Sequence, residues 1–307
     1  MAALGSALVL LSAALGFSPR LRSGDLGDLA LESGQHLLDA RLTYRTLGTL
    51  AERRDNAVLV APWFQGTSWQ LLRQVGPGRL VDTRRFYVIL VDAFGNGVAS
   101  SPSNSVRQSG AQFPRFTIRD MVDAQHQLVT KILGIQRLHA VVGISMGGMQ
   151  AFEWTVAYPS FISKAVSIVG SPQTQPDDAA RWNQAMAWLR QPAWTRTTTQ
   201  VRAWKPRSAV GELLVDPGNQ YSQIQAILSH DIARNFGGSM ERAAAARRAD
   251  FLMVSTWQDR EVNPKPAFEY ARLGRAEVLE LDGRCGHQAP SCEREALWRA
   301  VGTFLAR

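Results

Sequence analysis

The sequence is short of the features that would take it out of the ordinary globular class. Beyond its first sixteen residues no stretch is uniformly apolar for the ~20 residues that a membrane helix requires, so no stable membrane insertion is expected. Long runs of like charge are also missing. Arg and Lys number 34 against 26 Asp and Glu, for a formal +8 and a pI near 10.1. The basic residues are mostly Arg and lie scattered, in groups as small as Arg53-Arg54, Arg84-Arg85 and Arg247-Arg248. Nucleic-acid sites and binding tails concentrate their charge, so this pattern predicts a solvated basic surface and no nucleic-acid partner. His, Cys and carboxylate residues form no group with metal-ligand spacing, and neither metal nor cofactor is expected. There is no internal repeat and no low-complexity linker, hence no second independent domain.

Hydrophobic residues make up 45% of the 307, enough to bury a full core and to exclude general disorder. The first sixteen residues, MAALGSALVLLSAALG, carry no charge, and Ala14-Leu15-Gly16 offers the small-x-small pattern that signal peptidases read. Residues 1–16 are therefore read as a signal peptide and the protein as exported, periplasmic or secreted, although the first basic residue is Arg20 where a leader usually begins with one. The alternative is a cytoplasmic protein that keeps its N-terminus. Cysteine is scarce, and the two present, Cys285 and Cys292, bracket His287 in DGRCGHQAPSC. In an oxidising compartment such a pair could close a short loop around that histidine; in the cytosol both would stay reduced.

Short Val- and Ile-rich runs alternate with helix-like periodic stretches, the pattern of a mostly parallel sheet flanked by helices, an α/β fold. Ala57–Pro62, Phe86–Asp92, His139–Gly143, Lys164–Val169, Phe251–Ser255 and Ala276–Leu281 read as buried strands, and the segments Leu26–Leu31 and Arg41–Thr46 as edge strands. Thr117-Ile118-Arg119-Asp120 reads as a capped helix start, with an apolar face running through Met121, Val122, Leu128, Val129 and Ile132 until Gly134. From Pro172 to about Arg248 the alternation breaks down into a stretch rich in Gln, Trp, Arg and Pro. The expected organisation is a core of residues 25–172 and 249–307 with a helical cap, 173–248, inserted after a strand, where a lid over a ligand site belongs. Trp182, Trp188, Trp194 and Trp204 are expected to form the cap's own core.

Gly143-Ile144-Ser145-Met146-Gly147 is a G-x-S-x-G between a strand and a helix-like segment. That context fits the sharp turn that lifts a nucleophilic serine above a sheet, at a helix N-terminus that favours developing negative charge. A serine hydroxyl needs a histidine to take its proton and a carboxylate to orient that histidine. Only His230 and His287 follow Ser145, and only His287 lies in a Gly-rich turn after the last strand. His230 is assigned a structural role, and His36, His126 and His139 precede the nucleophile. For the acid, Asp259 follows the strand Phe251–Ser255, with Asp282 the rival; Asp250 precedes that strand and Glu280 sits within the next. The oxyanion donors are expected at the N–H of Met146, after the nucleophile, and at Phe64, in the loop after Ala57–Pro62.

The strings GISMGGMQAFEW, FPRFTIRDMVDAQ, VGPGRLVDTRRFYVI and RDNAVLVAPWFQGTS together resemble the homoserine O-acetyltransferase family of the α/β-hydrolase superfamily. The resemblance covers roughly residues 40–172 and the segments around Asp259 and His287. It implies an α/β-hydrolase fold, a triad of Ser145, Asp259 and His287, an oxyanion hole at Phe64 and Met146, ping-pong acyl transfer through Ser145, and dimerisation through the cap. Two departures stand out. After the catalytic histidine the family typically has an aspartate that helps bind the substrate's ammonium group, and here the residue is Gln288. The cap is short and does not match between about Trp182 and His230. The leading expectation is an exported ester or acyl hydrolase acting on a small molecule. The runner-up is a cytoplasmic O-acyltransferase that takes acyl-CoA as cosubstrate and homoserine, serine or a similar alcohol as acceptor. A non-catalytic binding protein on the same fold is the third.

Overall fold

The computed structural model describes residues 19–190 and 216–307; the proposed signal peptide and two of the cap tryptophans, Trp194 and Trp204, lie outside them. Its centre is an eight-stranded sheet of β1 (Arg22–Ala30), β2 (His36–Leu47), β3 (Ala57–Ala61), β4 (Tyr87–Val91), β5 (Leu138–Ile144), β6 (Ile162–Ile168), β7 (Asp250–Ser255) and β8 (Glu277–Glu280). The spatial order is β1-β2-β4-β3-β5-β6-β7-β8. β1 pairs antiparallel with β2 and β2 with β4, and every other pairing is parallel. Every expected strand exists, with ends shifted by a few residues. One expectation is corrected: the segment around Arg41–Thr46 is not an edge, because β2 extends to twelve residues and pairs on both sides, leaving β1 as the edge on that side of the sheet.

The central strands are buried on both faces, as parallel strands covered by helices must be. Alternate residues serve two different cores. Leu59, Ile89, Val141, Ala165 and Met253 face one; Val58, Val60, Leu90, Val142, Val166 and Val254 face the other. The helices are α1 (Ser68–Leu71), α2 (Ile118–Gln127), α3 (Met146–Ala157), α4 (Pro176–Leu189), α5 (Pro217–Leu228), α6 (Met240–Ala246), α7 (Lys265–Gly274), α8 (Ala289–Cys292) and α9 (Arg294–Ala306). Phe152 and Trp154 of α3, with Tyr270 of α7, fill the first core, and Leu297, Val301, Phe304 and Leu305 of α9 the second. Each such side chain contributes roughly 1.5–3 kcal/mol by its burial.

α2 begins as expected. Thr117 and Asp120 form a reciprocal capping box, each side chain bonding the other's backbone N–H. Its far end differs from a plain α-helix: after Gln127 the chain widens into a π turn, Leu128–Ile132, before Gly134 reverses it at φ +65°. The Thr130 hydroxyl donates to the His126 carbonyl at 2.7 Å, a back-bond of the kind that loosens the helical ladder. In the cap, α4 and α5 enclose a small cluster of their own that includes Trp182 and Trp188. α6 packs onto the core helices α3 and α7. The described helices include none long and apolar enough to cross a membrane.

Candidate active site

Between β3 and β5 the strand order reverses, since the chain runs from β3 outward to β4 and returns to β5 on the other side. Open α/β sheets leave a crevice at the carboxyl ends of the strands flanking such a switch. Ser145 stands at that end of β5 with φ 56° and ψ −115°, a strained conformation for a residue with a side chain. Its N–H is tied to the Ile168 carbonyl at 2.8 Å, and its own carbonyl accepts from Met149 N–H in the first turn of α3. The flanking glycines are steric necessities. A Cβ on Gly143 would stand 1.8 Å from the Gly147 carbonyl oxygen, and one on Gly147 2.2 Å from the Ala61 oxygen at the end of β3. The elbow thus closes on itself and against the start of the loop that carries Phe64.

Asp259 lies in the loop after β7, its side chain buried. Oδ1 accepts from the N–H groups of Glu261 (2.8 Å) and Val262 (3.0 Å), which leaves Oδ2 to accept from His287 Nδ1 at 2.7 Å. With Nδ1 the donor, His287 Nε2 is the acceptor, and Ser145 Oγ lies 2.8 Å from it. The three residues named from the sequence therefore form one continuous chain of hydrogen bonds. The rival Asp282 is exposed and the histidine's second nitrogen is already taken by Asp259. Asp250 opens β7 at the far end of the sheet and pairs with Lys164 at 3.2 Å. Glu280 ends β8, exposed.

Burial is the largest influence on His287 and pulls its pKa down. The hydrogen bond and charge of Asp259, helped by Glu261 and Asp178, outweigh it and hold the imidazole above its ordinary value of 6.5. His287 sits in a single 3-10 turn, Gly286–Gln288, between Cys285 and Cys292, whose sulfur atoms are bonded to each other. Gly286 has φ +54°, and a Cβ there would press within 3.0 Å of the Gln258 carbonyl, so this glycine lets the histidine turn approach the acid loop. The other histidines serve the fold. His230 is buried with Nε2 donating to the Ser171 carbonyl, His139 Nε2 contacts the Leu305 carbonyl, and His126 stacks on Tyr158. His36 opens β2.

Met146 is buried at the first position of α3, where helical N–H groups have no partner within the helix. Phe64 follows β3, its ring 5.2 Å from that of Trp182 on α4, so Trp182 is at once part of the cap cluster and a cover for this loop. Sequence reading overlooked two cap residues. Asp178 on α4, buried, accepts from Asn263 N–H with both oxygens (3.2 and 3.0 Å) and so ties the cap to the acid loop. Gln223 on α5 bonds the loop that carries Phe64. Nothing in a lone Asp or Gln of a polar cap marks it in advance. Among the described residues no three His, Cys, Asp or Glu side chains are grouped to hold a metal ion.

Comparison with known proteins gives the same architecture. A model of the alpha/beta hydrolase fold family matches residues 67–273. The ethyl acetate hydrolase of Pseudomonas veronii is 38% identical over 156 residues, 50% of this chain and 45% of that protein, so the chain spans less than half the length of this relative. The homoserine O-succinyltransferase of Methylibium petroleiphilum is 31% identical over 339 aligned positions, covering 85% of this chain and 87% of its own. Among solved structures, the acetyl esterase MekB superposes with a TM-score of 0.84 over 94% of this chain and 97% of its own, at 24% identity, a likeness of fold.

Proposed function

The chain belongs to the alpha/beta hydrolase fold family, in the group that includes homoserine O-acyltransferases and esterases, and from that premise we propose that it is a serine esterase that hydrolyses small acyl esters through an acyl-enzyme. The observation that carries this reading is the unbroken chain Ser145 Oγ to His287 Nε2 (2.8 Å) and His287 Nδ1 to Asp259 Oδ2 (2.7 Å), with the serine held at a strained helix N-terminus.

In this mechanism Ser145 Oγ attacks the ester carbonyl as its proton passes to His287 Nε2. Asp259 keeps Nδ1 protonated and stabilises the imidazolium. The oxyanion meets the N–H groups of Met146 and Phe64, backbone donors placed by the serine turn and by the loop after β3. Collapse expels the alcohol, which takes the proton from His287. Water then gives a proton to the same nitrogen and attacks the acyl-enzyme, releasing the acid and restoring Ser145. Nucleophile, base and orienting acid all come from the chain, and the reaction needs no resident cofactor.

One feature favours water as the acceptor: Gln288, beside His287, offers no negative charge to an amino-acid ammonium group. Export is part of the proposal: the paired cysteines suit an oxidising compartment, where acyl-CoA is scarce. The extended similarity to a homoserine O-succinyltransferase favours a second reading, in which a small alcohol replaces water and acyl-CoA is the donor.

One comparison separates them: acyl release from a short-chain p-nitrophenyl ester and from acetyl-CoA, the latter with and without homoserine. Ester turnover that vanishes in Ser145→Ala, with acetyl-CoA inert throughout, is the expected result. CoA release that depends on homoserine establishes the transferase, and biological activity unchanged in Ser145→Ala removes both readings in favour of a binding protein.

A further inference from the structure

The loop after β3 contains an unfavourable residue. Gln65, directly after Phe64, has φ +57°, a region that side-chain-bearing residues seldom enter and that persists only when its surroundings enforce it. The enforcement comes from the cap. Gln65 N–H and Gln65 Nε2 both donate to Gln223 Oε1 at 2.8 Å, and Gln223 Nε2 donates to the Phe94 carbonyl at 2.8 Å. Gln65 Nε2 also donates to the Gly95 carbonyl at 2.9 Å, so two loops that follow neighbouring strands are joined through one fully buried cap side chain.

The packing around the amide leaves it no freedom. Gly95 has φ +75°, and a Cβ there would lie 3.0 Å from Gln223 Cγ and 2.7 Å from Ser222 Oγ. α5 is fastened to the same region a second time, through Asn219, whose amide donates to Ser103 Oγ (2.8 Å) and accepts from Ser103 N–H (3.1 Å). Beyond Gln65 the chain turns tightly, Gly66 N–H donating to the Trp63 carbonyl at 2.8 Å.

We infer that Gln223 is a positioning residue for the oxyanion loop: by holding Gln65 N–H it fixes the Phe64–Gln65 peptide plane, while Gly66 N–H holds the carbonyl of the adjoining Trp63–Phe64 plane, so that the Phe64 N–H carried by that second plane is set from both sides. This rests on the esterase reading and on Phe64 as oxyanion donor. The cap then acts on the chemical step as well as on access. A donor turned away from the oxyanion weakens binding of the transition state more than that of the uncharged ester, so damage to Gln223 appears in kcat.

The test compares wild type, Gln223→Met, which keeps length and removes both hydrogen-bonding functions, and Gln223→Asn, which keeps the amide but shortens its reach. The readouts are kcat and KM on p-nitrophenyl acetate and inhibition by a trifluoromethyl ketone, which forms a tetrahedral oxyanion on the serine. Loss of an oxyanion donor costs ~10²–10³-fold in kcat; for a displaced donor we expect roughly 10–100-fold, with KM within about threefold and ketone affinity falling in step with kcat/KM. Wild-type kcat in either variant, if folded by circular dichroism, overturns the inference, as does a loss confined to KM. Should Gln223→Met fail to fold, Gln223→Asn decides on the same criteria. Ester turnover that survives Ser145→Ala overturns the esterase reading and this inference with it, whereas turnover that survives only the Gln223 changes overturns this inference alone.

Discussion

His287 is the residue on which the proposed chemistry turns, and its protonation gives the reaction a definite pH dependence. It must be neutral at Nε2 to accept the Ser145 proton, and Asp259 holds its pKa above 6.5 against the opposing pull of burial. Activity is therefore lost as pH falls through that raised value and recovered above it. We expect kcat/KM on an activated ester, followed from roughly pH 5 to 9, to rise through one inflection lying above 6.5. Asp259→Asn keeps a side chain of the same shape but removes the charge and presents the wrong partner to Nδ1. It should lower kcat by about 10³–10⁴-fold and shift the inflection of the residual activity downward. An unshifted inflection would mean that another group controls the profile.

At the scale of elements, the short turn Gly286–Gln288 has little to hold it except what surrounds it. It lies beyond β8, an edge strand that is largely exposed, and α8 behind it is a single turn. The bond between Cys285 and Cys292 closes this segment around His287, and the segment reaches the second hydrophobic core only through Ala289. Reduction is thus expected to slow ester turnover by between a few-fold and ~100-fold, the range that a displacement of about 1 Å can produce, while far-ultraviolet circular dichroism stays native. Mass spectrometry of the isolated protein should find no free thiol before reduction; two free thiols in protein from its native compartment would rule the bond out there. The same contrast between core and periphery explains what could be read in advance. Ala57–Ala61 and Leu138–Ile144 were legible because buried parallel strands must be Val- and Ile-rich on both faces, and Ser145 because the elbow admits only glycine at 143 and 147. Asp259 and His287 followed from chain order. The π turn after Gln127 has no marker in the local pattern, and the interior position of β2 depends on partners distant in sequence. Gln223 and Asp178 act only through loops that fold to meet them, and no local pattern announces such contacts.

For the molecule as a whole, one contribution to the pH dependence of stability comes from a cluster that joins the first sheet turn, two core helices and the return from the cap. Glu153, two turns along α3 from Ser145, faces Arg119 at 3.5 Å, Arg234 at 3.7 Å and His230 Nδ1 at 3.9 Å, and Arg234 in turn bonds Glu32 at 2.8 Å. Burial raises Glu153 to about 7, against the lowering effect of Arg234 and Arg119 and with a small upward push from Glu32. Burial, seconded by Arg234, lowers His230 to about 3 although its bond to the Ser171 carbonyl works the other way. The signs oppose each other. Between 4.5 and about 7 the native protein keeps a proton on Glu153 that the unfolded chain has released, so this group's contribution to stability falls as pH rises. Between about 3 and 6.5 the unfolded chain carries a proton on His230 that the native protein excludes, so that contribution rises with pH. In the overlap the two largely cancel, and removing either should unmask the other. Urea midpoints measured across the overlap are expected to climb with pH more steeply in Glu153→Gln than in wild type. In His230→Gln, which keeps a donor for the Ser171 carbonyl, they should climb less steeply or decline. Three parallel pH profiles would show that neither group changes its proton affinity on folding, and the cluster would then be a set of fixed charges rather than an opposed pair.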